Sequence, residues 1–331
     1  VNTTLSAGRV QSACVKMIIE RDRKRQKYKK TEYFSLKVEL KKENSDSAFE
    51  AVLNKISDKK IVSSNDFDSN TGSLKNKDVI ILNEKEAKDL LSKLDSGNWV
   101  VKKIDEKPRT SNPKPPFTTS TLQQEAARKL RFSAKNTMRV AQQLYENGFI
   151  TYIRTDSTHL SDEAVKGSRH IVSDLFGDDF LPKSPNNYET NVKNAQEAHE
   201  AIRPAHKIFK RIDTVSKKLG KDAGNLYDLI WKRTIASQML PAKLKQTSVI
   251  ISNADTDFRA SGQTIVFPGY MKIYVEGKDN PEAELANKEK ILPEMSENEI
   301  LMCNQISSQS HQTKPPARFT EASLVKEMEN N

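Results

Sequence analysis

Tyr152, Arg154 and Asp156 stand two residues apart in the run GFITYIRTDSTHLS, residues 148–161. In a strand alternate side chains share a face, so these three point one way while Thr151, Ile153 and Thr155 point the other. A phenol ionises only near pH ~10. A tyrosine that attacks a phosphodiester therefore needs a proton acceptor, and the charge gathering on the phosphorus oxygens needs a fixed cation. Arg154, on the same face, can supply that cation, and Asp156 can orient Arg154 or lie near a divalent ion. The wetted face of an edge strand would carry the same residue types, and residue chemistry alone does not separate the two.

Two further clusters have chemistry to offer. SAGRVQS, Ser6 to Ser12, sets small residues beside Arg9, Gln11 and two hydroxyls, all phosphate donors, at a helix start whose free N–H groups suit an anion. An ordinary N-cap reads the same way. QEAHEAIRP, Gln196 to Pro204, packs two carboxylates, an imidazole and Arg203 into nine residues, in isolation a solvated helix end. His199 and His206 lie seven apart with Pro204 between them, a poor geometry for zinc. The sequence has no phosphate-binding loop, G-x-G-x-x-G turn or H-E-x-x-H pair, so no motif points to nucleotide hydrolysis, a dinucleotide cofactor or a zinc protease.

These side chains need elements to hold them. Residues 5–30 read as a helix, with Val10, Cys14, Met17 and Ile18 at helical spacing and a tail, RDRKRQKYKK, that is basic at seven of ten positions. EYFSLKVEL alternates as a strand. The polar residues 41–78 read as loops around one short helix. DVIILN and NWVVKKIDEK read as strands flanking a helix, EKEAKDLLSKLDSG, that Gly97 stops. The four prolines of KPRTSNPKPPF mark a domain boundary. Beyond it the texture is helical. STLQQEAARKLRF has a capping-box pattern at Ser120 and Gln123, and SAKNTMRVAQQLYENG runs from a Ser133 cap to the terminator Gly148. With the strand FITYI directly after, this is the order of a helix-turn-helix with a wing. A further helix is capped by Ser161 and stopped by Gly177, and TSVIISN, DFRASGQTIVF and MKIYVE return to strand from about 245 to 276. Sheet, helices, sheet is the order of a helical block inserted into a β domain.

The chain has 331 residues, room for roughly two domains on a ~150-residue prior. It is 36% hydrophobic and 30% charged, with a mean hydropathy of -0.70 and no run near the ~18 apolar residues of a membrane span. A net charge of +10 and a pI near 9.3 suit an acidic partner, nucleic acid first, although a merely soluble basic protein has the same balance. Cys14 and Cys303, far apart and outside any C-x-x-C pair, point to a reducing compartment. A start without Met and an end inside RFTEASLVKEMENN, a helix with Thr320 as N-cap, suggest a piece of a longer chain.

LSAGRVQS, PFTTSTLQQEA, GFITYIRTDSTHLS, AQEAHEAIRP, LYDLIWKRTIASQM and TKPPARFTEASLVKEME together resemble the motifs of the type IA DNA topoisomerases, in that family's order and spacing, from residue 5 to residue 329. Their context is nearer to bacterial DNA topoisomerase I than to topoisomerase III or reverse gyrase. The resemblance implies a multidomain α and β fold, a toroid fragment. A β-rich arch (31–110 and 242–276) would carry an inserted helical, winged-helix-like domain (111–241) that holds the nucleophile. Residues 1–30 and 277–331 would be parts of a mainly helical base. Tyr152 matches the nucleophile that forms a 5′-phosphotyrosine link, Arg154 the arginine that stabilises the scissile phosphate, Asp156 the acidic residue nearby, and His199 a histidine that assists, with Arg203 beside it. Ser6, Ala7, Gly8, Arg9, Val10 and Gln11 match a DNA-contact segment, and Arg318 would lie close to DNA.

The implied partner is single-stranded and negatively supercoiled DNA in the bacterial cytoplasm, with the protein a monomer and no membrane involved. Exchanging one phosphoester for another conserves bond energy, so no ATP is expected. Mg²⁺ would be held by the acidic residues of a Toprim domain that these 331 residues do not include, nor do they include the zinc-ribbon or basic C-terminal region. No metal ligand is therefore expected in this chain, which is not expected to relax DNA alone. The competing readings are a single-strand DNA-binding module without chemistry and a tyrosine recombinase. In the latter family the tyrosine follows the other catalytic residues, whereas Tyr152 precedes His199 and Arg203.

Overall fold

The structure, a computed structural model, describes residues 8–43, 47–94, 98–188, 200–274 and 290–330. Contacts divide the chain into two compact units. One comprises Val1–Pro108, Lys245–Thr264 and Glu289–Arg318, the other Arg109–Leu244, Ile265–Lys288 and Phe319–Asn331. A helical stretch thus interrupts a β stretch, as the order of sequence textures predicts. Among the described residues no helix is long and apolar enough to cross a membrane.

Among the described residues the first unit opens with α1 (Arg9–Lys27) and is otherwise built on seven strands, of which β4, β5 and β6 run a few residues past its bounds, and one more helix. These are β1 (Glu32–Lys42), β2 (Phe49–Ile56), β3 (Lys59–Lys60), α2 (Glu84–Leu94), β4 (Trp99–Ser111), β5 (Ala242–Asn253), β6 (Thr256–Phe267) and β7 (Ile300–Gln312). The strand order is β1-β7-β4-β5-β6-β2-β3, and β1 also pairs with β2. Six strands therefore close on themselves, and β3 is a two-residue extension beyond β2. The closing contacts are short: β4 meets β7 only at Trp99↔Leu301 and Val100↔Ile300, and β1 meets β2 over Lys37–Leu40. Leu36, Val38, Leu40, Ala51, Val101, Val249, Ile251 and Phe258 are buried in one cluster, and Trp99 meets Phe258 edge-on at 4.9 Å.

Four expectations for this unit change. Residues 49–56 form β2 rather than a short helix: Phe49, Ala51 and Leu53 are buried in alternation with Glu50 and Val52, a period of two that the surrounding polar loops obscure. DVIILN makes only single bridges, Ile61 to Ile80 and Phe34 to Leu82. Residues 300–312, expected in a helical base, are β7, paired antiparallel with β1 from Glu32↔Gln312 to Lys42↔Leu301. ILMCNQISSQSHQ lacks apolar alternation, and the ladder bonds to β1 hold it instead. β4 also runs on through Pro108 to Ser111, into the expected linker.

The second unit holds α3 (Thr119–Leu130), α4 (Ala134–Glu146), α5 (Asp162–Phe176), α6 (Ile212–Leu219), α7 (Lys221–Ser237) and α8 (Glu321–Asn330). Its core gathers around α7, with Leu226, Tyr227 and Ile230 fully buried against Phe117, Leu122, Leu144 and Ile153. Burial pushes the Tyr227 phenol well up. Ser133, Ser161 and Thr320 cap their helices, each accepting a backbone N–H, and Gly148 (φ +69°) and Gly177 (φ +89°) end theirs. α3 is capped by Thr118 rather than Ser120. In place of the strand expected at MKIYVE, Gly269–Lys272 is a 3-10 turn, and Gly97 and residues 275–276 lie outside the described residues.

Candidate active site

Residues 149–160 are not a regular strand, contrary to the winged-helix expectation: Ile150 makes one isolated bridge, the chain bends at Thr151, Ile153 and Arg154, and neighbours hold it on two sides. On one side Ile150 bridges antiparallel to Pro204, with Thr151 N–H donating to Arg203 O (2.9 Å) and Ala205 N–H to Phe149 O (2.8 Å). On the other side sits the start of α3. Thr119 N–H donates to Thr155 O (2.9 Å), and the Thr119 hydroxyl gives its one proton to Ile153 O (2.7 Å), with Thr155 O also within reach (3.1 Å), while accepting Thr155 N–H (2.9 Å). One threonine thus grips the backbone on both sides of Arg154.

The consequence is the alternation expected of a strand without the strand itself. Ile153, Thr155 and Ser157 are buried and Thr151 is half-buried, its hydroxyl bonded to Ala201 O at 2.7 Å. Tyr152, Arg154 and Asp156 are exposed, so all three predicted side chains reach solvent. Tyr152 is 46% exposed and meets Tyr145, on the last turn of α4, edge to face: centroids 5.4 Å apart, planes at 65°. Among the described residues neither Arg154 nor Asp156 has a hydrogen-bond or ion-pair partner, so the guanidinium is open to an anion from solvent.

Arg203 sits differently. It is 7% exposed, and Nε and Nη2 donate to Glu200 (3.2 and 2.7 Å), Nη1 to Pro204 O (2.9 Å) and Nη2 to Ser161 Oγ (3.2 Å). Four of its five donors are engaged inside the protein. Glu200 in turn accepts Ser161 N–H (2.7 Å) at the N-terminus of α5. Burial alone would raise the Glu200 carboxyl, but the bonds from Arg203 and Ser161 more than offset it, and the group is held below the usual carboxylate range. In this arrangement Arg203 fixes the 200–204 segment that backs residues 149–151. His199 lies outside the described residues.

A buried arginine, Arg233 on α7, supports the opposite wall. Its Nε donates to Pro115 O (2.7 Å) and its guanidinium lies 4.9 Å from the Phe117 ring and 5.2 Å from that of Tyr274, whose hydroxyl donates to buried Glu125 (3.1 Å). These contacts fix residues 115–117 and so the entry to Thr118 and Thr119. Thr119 and Arg233 escape a reading by residue type, because each acts on a segment distant in sequence; Tyr145 escapes it because only the turn at Gly148 brings it to Tyr152, while Glu200 is one of the carboxylates of the QEAHEAIRP cluster. The four hydroxyls of TTST at 118–121 are the one local signal.

The other predicted residues belong to the first unit. Gly8 is the N-cap of α1, its N–H accepted by the Gln11 side chain at 3.0 Å, and Val10 and Gln11 are exposed. Ser6 and Ala7 lie outside the described residues. Arg9 begins α1. Arg318 is exposed against the same helix, 3.5 Å from Asp22, and Arg21 and Arg25 of α1 donate to Ala317 O and Pro316 O. Among the described residues no cluster of three or more His, Cys, Asp or Glu could hold a metal ion.

Tyr152 and an Arg154 without a partner among the described residues are thus open on the surface of a basic chain, and the whole sequence points to a family. The chain belongs to the DNA topoisomerase family, whose profile matches residues 1–331. It is 49% identical over 327 residues to DNA topoisomerase 1 of Synechocystis sp., covering 98% of this chain and 36% of the relative. It is 46% identical over 335 residues to DNA topoisomerase 1 of Streptomyces coelicolor, covering 98% and 35%. Among solved structures, full-length topoisomerase I from Thermotoga maritima matches with a TM-score of 0.69 and 31% identity over 98% of this chain and 48% of that one. The chain therefore spans about a third of the length of these curated relatives.

Proposed function

We propose that the chain is the core of a type IA DNA topoisomerase I, in which Tyr152 opens and reseals one DNA strand. The Tyr152 oxygen attacks the scissile phosphorus, the bond to the 3′ oxygen breaks, and a 5′-phosphotyrosine remains. The phenol loses its proton and the departing 3′ oxygen gains one, so the number of phosphoesters is unchanged. Rejoining reverses the step without ATP, and passage of a strand through the break relaxes negatively supercoiled DNA. Arg154 stabilises the charge on the phosphorus oxygens, Asp156 stands nearby, and Gly8, Arg9, Val10, Gln11 and Arg318 contact DNA. His199 assists, and Arg203 acts through the segment it holds. The supporting observation is the alternation at 151–157: reactive side chains open, their neighbours buried and bonded.

Mg²⁺ is expected of such an enzyme, but the described residues do not offer it a ligand set. The place of action is the bacterial cytoplasm, the partner single-stranded and supercoiled DNA, and the protein a monomer. The test uses the whole protein that contains this chain, a 5′-labelled and a 3′-labelled oligonucleotide with Mg²⁺, and an SDS quench. Wild type should give a covalent adduct retaining the label of the 3′ fragment, and Tyr152→Phe none. Adduct persisting in Tyr152→Phe would sink the assignment.

A further inference from the structure

We infer that Tyr145 is a positioning residue for Tyr152, its ring holding the nucleophile's ring in one orientation on the open face. The inference rests on the role of Tyr152 proposed above. Chain geometry brings the two together. Gly148, at φ +69°, reverses the chain just past α4, with Gly148 N–H donating to Tyr145 O (2.9 Å) and Phe149 N–H to Leu144 O (2.9 Å). A side chain other than glycine is strained at that φ. Residue 152 then returns alongside the last turn of α4.

Both backbones are anchored. Leu144, beside Tyr145, is fully buried in the core, and Ile153, beside Tyr152, is 2% exposed in the same cluster. What is left free is side-chain torsion, which for an exposed tyrosine means several rotamers. Among the described residues the Tyr152 hydroxyl has no hydrogen-bond partner, and Tyr145 supplies its one ring contact. The separation of 5.4 Å and the 65° angle are the edge-to-face geometry that aromatic quadrupoles favour. That preference selects one rotamer before substrate arrives. Attack requires the phenolic oxygen in line with the leaving oxygen, so time spent in other rotamers is lost from the rate at saturation and not from binding.

The experiment compares wild type, Tyr145→Phe and Tyr145→Leu in the whole protein. Single-turnover cleavage of a labelled oligonucleotide at saturating enzyme, Kd by fluorescence anisotropy and melting temperature are measured, with rates taken well below the lowest melting temperature. Tyr145→Leu should slow cleavage about 2- to 12-fold, the range an aromatic pair supports, with Kd unchanged. Tyr145→Phe, which keeps the ring, should stay within about twofold of wild type by the same reasoning. A wild-type rate in Tyr145→Leu overturns the inference. So does a weakened Kd with the saturated rate intact, which would make Tyr145 a base-stacking platform, and so does a Phe variant as slow as the Leu variant, which would assign the work to the hydroxyl. Tyr152→Phe run alongside separates the two levels: adduct in that variant fails the nucleophile, whereas its loss beside a fast Tyr145→Leu fails only the positioning role.

Discussion

Arg154 and Arg203, both members of motifs, sit in opposite surroundings: one reaches solvent with no partner among the described residues, the other is buried with four donors engaged. Their replacements should therefore separate stability from chemistry. Arg154→Ala should leave the melting temperature within about 0.5 kcal/mol of wild type in stability terms and slow strand cleavage by roughly 10²–10³-fold, as loss of a charge-stabilising donor does elsewhere. Arg154→Lys should recover part of that rate, since it keeps the cation and loses the planar fork. Thermal melts alongside single-turnover cleavage in the whole protein check both. Arg203→Ala should show the opposite balance, a lower melting temperature because Glu200 loses its partner in a half-buried site.

At the scale of elements, the active face is made by what lies behind it. Thr119→Val keeps the shape of the side chain but leaves Ile153 O and Thr155 N–H without the bonds they now share. The expected cost is about 1–3 kcal/mol of stability, together with slower cleavage, and Thr119→Ser should recover most of both. Chemical denaturation of the three proteins measures it. The Glu200–Arg203–Ser161 link adds a dependence on pH. Glu200 is held below the usual carboxylate range, so the folded state binds its proton less readily than the unfolded state does. The stability this contributes is present above the unfolded carboxylate pKa and is lost as pH falls through the lowered folded value. Wild type should accordingly exceed Glu200→Gln in denaturation midpoint at pH 7, and the gap should shrink toward pH 3.

For the whole molecule the net charge of +10 matters more than any one contact. If several Lys and Arg meet phosphates, the affinity of the whole protein for single-stranded DNA should fall with salt at a log–log slope of about −0.7 per contact. Three or more contacts give a slope steeper than roughly −2. Anisotropy titrations across a series of salt concentrations test this, and a flat dependence would count against a phosphate-tracking surface.

Much of this protein was legible in residue order alone. Helix starts at Ser133, Ser161 and Thr320, helix stops at Gly148 and Gly177, the strands β1, β5 and β6, and the exposure of Tyr152, Arg154 and Asp156 between buried neighbours all follow from local capping chemistry and short periods, which neighbouring residues encode. The tertiary structure decided what depends on residues far apart in the chain. It made a strand of the polar segment 300–312 by pairing it with β1, closed six strands through the β1–β2 contact, and turned the expected strand at FITYI into an irregular segment held from both sides. It also buried Arg203 and set Tyr145 against Tyr152. Backbone ladders and buried ion pairs satisfy groups through distant partners, and no local pattern records which partner will arrive.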